Sequence, residues 1–157
     1  MKKITIYIIL LVLGIVNSGF SQNLVKKEGK YVDEQNNPFT GIYKEYYDNE
    51  SLHVEMSLKE GLQHGLTNIY FPNGIQNEQR SYKNGVIHGT WITWNEESLK
   101  LAEANYMDGK KHGKWFIWDE KGTLRYEMEY VDGKKTGIWK MYNEKGELIN
   151  EKNYSED

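Results

Sequence analysis

At 157 residues the chain has room for one domain rather than two, and its Lys and Arg are scattered among Asp and Glu at a formal net charge of −3. That balance offers no basic block to nucleic acid or anionic lipid. The absence of cysteine excludes disulfides, a cysteine nucleophile and a lipid-modified cysteine at an export site.

The chain starts with Lys2 and Lys3, an apolar run from Ile4 to Val16, and then Asn17, Ser18, Gly19, Phe20 and Ser21. A basic start followed by an apolar stretch shorter than the ~20 residues needed to span a bilayer is the layout of a secretory signal. Residues 1–21 are therefore expected to be a signal peptide cut after Ser21, where Gly19 and Ser21 supply the small residues. Export would place the protein in the periplasm or outside a bacterium, with no membrane span after cleavage. Removing Lys2 and Lys3 takes the formal charge to −5.

Residues 22–40 read as a capping strand and lead-in loop. Gly29 to Asp33 suits a short strand, and Pro38 among polar residues suits an edge where a missing N–H does no harm. From residue 41 the chain repeats. Gly41, Gly65, Gly89, Gly113 and Gly137 lie 24 residues apart, and Gly61, Gly85, Gly109 and Gly133 keep the same spacing. The array accordingly divides into repeats at 41–64, 65–88, 89–112, 113–136 and 137–157. Such a period marks units that bury apolar surface against their neighbours.

Counting each leading glycine as position zero, position two is Tyr43, Thr67, Trp91, Trp115 and Trp139, and position five is Tyr46, Tyr70, Trp94, Trp118 and Tyr142. Position nine is Gly74, Gly122 and Gly146 in three copies, with Glu50 and Ser98 in the others. A glycine ending a short polar run suits the left-handed residue of a three-residue hairpin loop. Position seventeen is Leu58, Tyr82, Tyr106, Tyr130 and Tyr154, and Asn84-Gly85, Asp108-Gly109 and Asp132-Gly133 follow as strong hairpin signals. The turns leave no stretch long enough for a helix, so the fold class is all-β: a single-layer antiparallel meander of 24-residue hairpins.

Parity then assigns faces. With three loop residues near position nine, positions five and eleven pair, as do three and thirteen. Trp118 beside Leu124 and Phe116 beside Tyr126 form the more apolar odd face, with Trp94 and Trp118 as the most buried residues. Keeping that face in the next repeat requires a three-residue Asp-Gly loop, or a two-residue turn with a bulge near His64-Gly65, His88-Gly89 and His112-Gly113. The first repeat, with Glu50 in place of glycine and Lys44 and Glu45 in its strand, is expected to be the weakest.

The array resembles the MORN-repeat variant family, whose members are also called YwqK-like repeat proteins. Gly89, Trp91, Trp94, Tyr106, Gly109, His112 and Gly113 meet the family pattern, as do Gly113, Trp115, Trp118, Gly122, Tyr130 and Gly133. Pro38-Phe39-Thr40-Gly41 looks like its usual start, and the resemblance covers residues 37–157. It implies β-hairpin arrays acting through protein or lipid contact, and an antitoxin or immunity-like role.

No catalytic, cofactor or metal site is expected. His64, His88 and His112 share a column, but repeats two strands apart space them by about 9.6 Å. Zinc holds its ligands at about 2 Å, so a turn-packing role is the better reading. Glu55, Glu103, Glu127 and Glu151 form a second column, on a flat wet face with no pocket to raise one carboxyl pKa. The candidate binding residues are Trp91, Trp115 and Trp139, read as lying opposite Glu103, Glu127 and Glu151. Rigid amphipathic aromatics are favoured at interfaces. Another protein, neutral or basic, is the expected partner, and a cell-envelope glycan is the alternative.

Overall fold

The structure, a computed structural model, describes residues 23–155. The segment read as a signal peptide, 1–21, lies outside them. The described residues contain strands and no helix, and so no helix long and apolar enough to cross a membrane. A small hairpin, β1 (Val25–Lys27) and β2 (Lys30–Val32), precedes the main sheet. That sheet comprises β3 (Gly41–Tyr46), β4 (Leu52–Lys59), β5 (Leu62–Tyr70), β6 (Gln76–Lys83), β7 (Val86–Trp94), β8 (Lys100–Met107), β9 (Lys110–Lys111), β10 (Gly113–Trp118), β11 (Leu124–Val131), β12 (Lys134–Tyr142) and β13 (Leu148–Asn153). Its strands follow one another in chain order from β3 to β13, and every hydrogen-bonded pair is antiparallel. Strands β9 and β10 share the place that β7 or β12 fills alone, with His112 as the break.

Two turn chemistries alternate along the meander. At one edge the glycine of position nine closes a three-residue loop: Asp119 N–H donates to the Thr123 carbonyl, and Gly122 N–H, at a φ of 80°, donates to the Asp119 carbonyl. The Asp119 carboxylate also accepts from Lys121 and Thr123 N–H, which with Arg125 nearby holds its pKa below the usual carboxylate range. At the other edge Asp108 and Gly109 both take positive φ in a two-residue turn closed by the Met107–Lys110 pair. Gly85, Gly109 and Gly133 N–H each donate to a carbonyl of the preceding repeat, those of Gln63, Ile87 and Lys111, which ties the turns into a continuous stack.

The register corrects the expected faces. Trp118 does pair with Leu124, but Arg125 bulges, so Ile117 pairs with Tyr126 and Phe116 pairs with Glu127 rather than Tyr126. One inserted residue exchanges the faces of everything beyond it. Trp115 faces Met128, Trp91 faces Ala104 and Trp139 faces Lys152, so Glu103, Glu127 and Glu151 are not opposite the tryptophans. The bulge at the His-Gly pairs is present. Arg80 pairs with Trp91 and Tyr82 with Ile87, so His88, Gly89 and Thr90 oppose Ser81 alone. Two extra residues there preserve the faces from one repeat to the next.

Burial is the second correction. Trp94 and Trp118 are only half-buried. The buried hydrophobic residues are Val32, Tyr43, Val54, Met56, Leu58, Ala104 and Tyr130, and Tyr43, Val54, Met56 and Leu58 form one cluster in the repeat expected to be weakest. Leu24, Tyr31 and Phe39 pack on that cluster, so the N-terminal hairpin supplies a second layer there. Tyr31 N–H donates to the Gly61 carbonyl, and a Cβ on Gly61 would meet Lys30 Cβ and the Tyr31 carbonyl at 2.9 Å each. Elsewhere, among the described residues, the sheet has side-by-side neighbours and nothing laid across it.

Candidate functional site

Positions two and seventeen share a face, and their side chains meet across successive strands. Trp91, Tyr106, Trp115, Tyr130, Trp139 and Tyr154 form an alternating aromatic ladder, with ring centroids 6.2, 5.1, 5.2, 5.1 and 4.8 Å apart in that order. The rings are tilted by 31–59°, the offset geometry that each aromatic quadrupole favours, worth about 0.5–1.5 kcal/mol per pair beyond area burial. The ladder starts at Trp91 because Thr67 holds position two in the second repeat. The leading glycine pairs with each tyrosine, Gly113 with Tyr130 for example, at a positive φ of 75°.

The three indole N–H groups of the ladder are engaged. Trp115 Nε1 donates to the Asn105 carbonyl at 2.9 Å and Trp139 Nε1 to the Glu129 carbonyl at 3.1 Å, each reaching back to the preceding repeat. Trp91 Nε1 donates to Glu78 Oε2 at 3.0 Å. Cations cover the rings. Arg80 lies 4.4 Å from the Trp91 centroid, Lys111 4.4 Å from Trp115, and Lys135 4.4 Å from Trp139. Lys111 also reaches Tyr130, and Lys135 and Lys152 both reach Tyr154. Each such contact contributes about 0.5–1 kcal/mol at an exposed site.

Beside the ladder, in the last two repeats, Ile117, Tyr126, Met128 and Met141 line an open apolar groove of about 350 Å³ whose other wall is Trp139 and Tyr154. Ile117 and Tyr126 are 38% and 37% exposed, large apolar surface on the face that buries most elsewhere. The opposite face is polar along its midline. Glu127 lies between Phe116 and Lys140, and Glu103 pairs with Phe116 and bonds Lys100 at 2.6 Å.

The three tryptophans of the sequence reading are thus together on one face, and Glu103 and Glu127 lie on the other. Sequence reasoning missed Tyr106, Tyr130 and Tyr154 as their partners and Lys111 and Lys135 as their covers. The tyrosines do recur at one position, and that recurrence was the available signal. The histidines sit at the turns: His88 Nδ1 lies 3.0 Å from Asp108 Oδ1, His64 Nδ1 3.0 Å from Asn84 Oδ1, and His112 Nδ1 3.7 Å from Asp132 Oδ1. His64 and His88 each brace the Asx-Gly turn of the following repeat, while His112 Nδ1 is buried beside its turn without a hydrogen-bond partner.

Burial raises the pKa of Tyr31, Tyr106 and Tyr130, and Tyr43 is pushed up to about 12 by burial and by its hydrogen bond to Glu45. Above pH 10 these phenols stay protonated in the folded chain and ionise in the unfolded one. Their contribution is therefore complete below pH 10 and is lost as pH rises through the shifted values. Base titration followed by phenolate absorbance and circular dichroism should show a late tyrosine class that titrates only as the sheet unfolds. Uniform titration near the ordinary value with the fold intact would refute it.

The family model described as MORN repeat variant matches residues 39–60, 111–132 and 135–156. These matches fall on the first, fourth and fifth hairpin units. A search of curated proteins finds no match to the chain.

Proposed function

We propose that this chain, which belongs to the MORN repeat variant family, is a non-enzymatic binding module that works outside the cytoplasm and presents the ladder face of its sheet to a protein partner. The observation that carries this reading is the exposed apolar groove of Ile117, Tyr126, Met128 and Met141 alongside a rigid aromatic spine. Trp91, Trp115 and Trp139 stiffen that surface, since their N–H groups and ring faces are already committed within the array. The groove residues are the anchors. Binding energy concentrates in such preorganised apolar positions rather than over the whole contact area.

With Glu103 and Glu127 on the other face and Lys111, Lys135 and Lys152 on this one, the favoured partner segment is apolar with acidic flanks. Export rests on the leader at 1–21, and mass spectrometry of the native protein should then find a chain starting at Gln22. A product that keeps Met1 in the cytoplasm would sink that part of the reading.

The binding reading is tested by cross-linking in an envelope extract with three forms of the protein. The wild type and the control Ile138→Asp, an exposed residue beside Phe116 and Glu127 on the opposite face, should capture the same protein, and Tyr126→Asp should lose it, a weakening of about 2 kcal/mol or more. Equal capture by all three, or retention on a glycan array with no protein captured, would overturn it.

A further inference from the structure

The two edges of the main sheet, β3 and β13, have no ladder partner on their outer sides among the described residues. Strand β13 repeats the second-strand pattern of every earlier hairpin, yet it is exposed along its whole length, where its counterpart β11 is mostly covered by β12. Ile149 is 56% exposed, while Arg125, at the same position one repeat earlier, is largely covered and donates from Nε to the Tyr142 carbonyl of the following repeat. At the other edge Tyr46 is 41% and Ile42 51% exposed.

We propose that β13 of one molecule pairs with β3 of a second copy, continuing the array head to tail in its own register. At every internal junction position thirteen faces position four of the next repeat, and position fourteen faces position three: Glu55 with Asn68, Gln79 with Ile92, Glu127 with Lys140. The same register between molecules sets Asn150 against Glu45 and Glu151 against Lys44, the latter pair matching Glu127 and Lys140 in charge. Ile149 is the bulged residue of its hairpin, as Arg125 is of the one before, and Arg125 reaches the position-five residue of the next repeat at the Tyr142 carbonyl, so the same placement brings Ile149 beside Tyr46 and lets two exposed apolar side chains cover each other. Open strand edges are templates for such addition, since their unpaired N–H and C=O groups are already in line.

A symmetric pairing of β13 with β13 fits less well. A two-fold axis normal to the sheet must set like faces together, and centring it on Glu151 or Lys152 opposes identical charges. Head-to-tail pairing is heterologous and open, so it adds copies without closing.

Sedimentation velocity on the purified native protein tests this. The wild type should gain mass steadily with concentration. Ile149→Lys and Tyr46→Lys should each be monomeric with unchanged circular dichroism. Their equimolar mixture should form a two-copy complex and stop there, because each variant keeps the edge the other lacks. A wild type monomeric throughout, a mixture of folded variants that stays monomeric, or a Tyr46→Lys that dimerises alone would overturn the proposal. Cysteine variants supply a second measurement, since the chain has none of its own. Ile149→Cys mixed with Tyr46→Cys should oxidise to a heterodimer, and cross-linking of Ile149→Cys to itself instead would count against head-to-tail pairing.

Discussion

Trp115→Ala should lower the stability of the array by about 3–5 kcal/mol, the range for removing a large packed aromatic. The indole contacts Tyr106 and Tyr130, carries Lys111 on its face and donates to the Asn105 carbonyl, so one substitution cuts the ladder in its middle and leaves that carbonyl with the His112 N–H alone. Repeat arrays hold through nearest-neighbour interfaces, and Trp115 belongs to the interfaces on both sides of its strand. Trp118→Ala should cost less, because Trp118 lies on the other face, outside the ladder, with Phe116 at 5.7 Å and Lys100 at 5.5 Å as its ring contacts. Urea titration of the two variants checks the order. Equal losses, or a larger loss from Trp118, would mean that the ladder does not join the repeats.

Leu58→Ala should be comparably damaging, at about 2–5 kcal/mol, although it lies in the least regular repeat. Leu58 is 4% exposed and belongs to the cluster of Tyr43, Val54 and Met56 over which the N-terminal hairpin folds. The same cluster should make β4 among the slowest strands to exchange its amide hydrogens, with β13 among the fastest. Hydrogen exchange by mass spectrometry reads both strands in one experiment, and fast exchange in β4 would refute the assignment.

The architecture was legible because spacing survives without insertion: the glycines and the Asx-Gly pairs name the turns, and the turns name the strands. Face assignment was harder. It depends on whether Arg125 counts as a paired residue or a bulged one, and no side-chain type at that position announces which. Moving that one residue carried Glu127 from Trp115 to Phe116, and with it the charge of the candidate surface. The buried cluster was illegible for another reason. Tyr43, Val54, Met56 and Leu58 are unremarkable apolar strand residues, and they become a core only because Leu24, Tyr31 and Phe39 lie over them from outside the repeat. Periodicity describes what recurs, and that hairpin occurs once.

The strictly sequential strand order also governs how the molecule responds to force. The first and last strands of the main sheet, β3 and β13, lie at opposite edges, so tension applied through them peels one hairpin after another instead of shearing the sheet as a block. Each released unit of 24 residues pays out about 80 Å of chain. The turn stack opens one hydrogen bond at a time, Gly133 to Lys111 and then Gly109 to Ile87, while the strands still in place keep their register. Anchored at one end and pulled at the other, the protein would act as an extensible tether that yields in equal steps and winds back on a template of its own remaining edge.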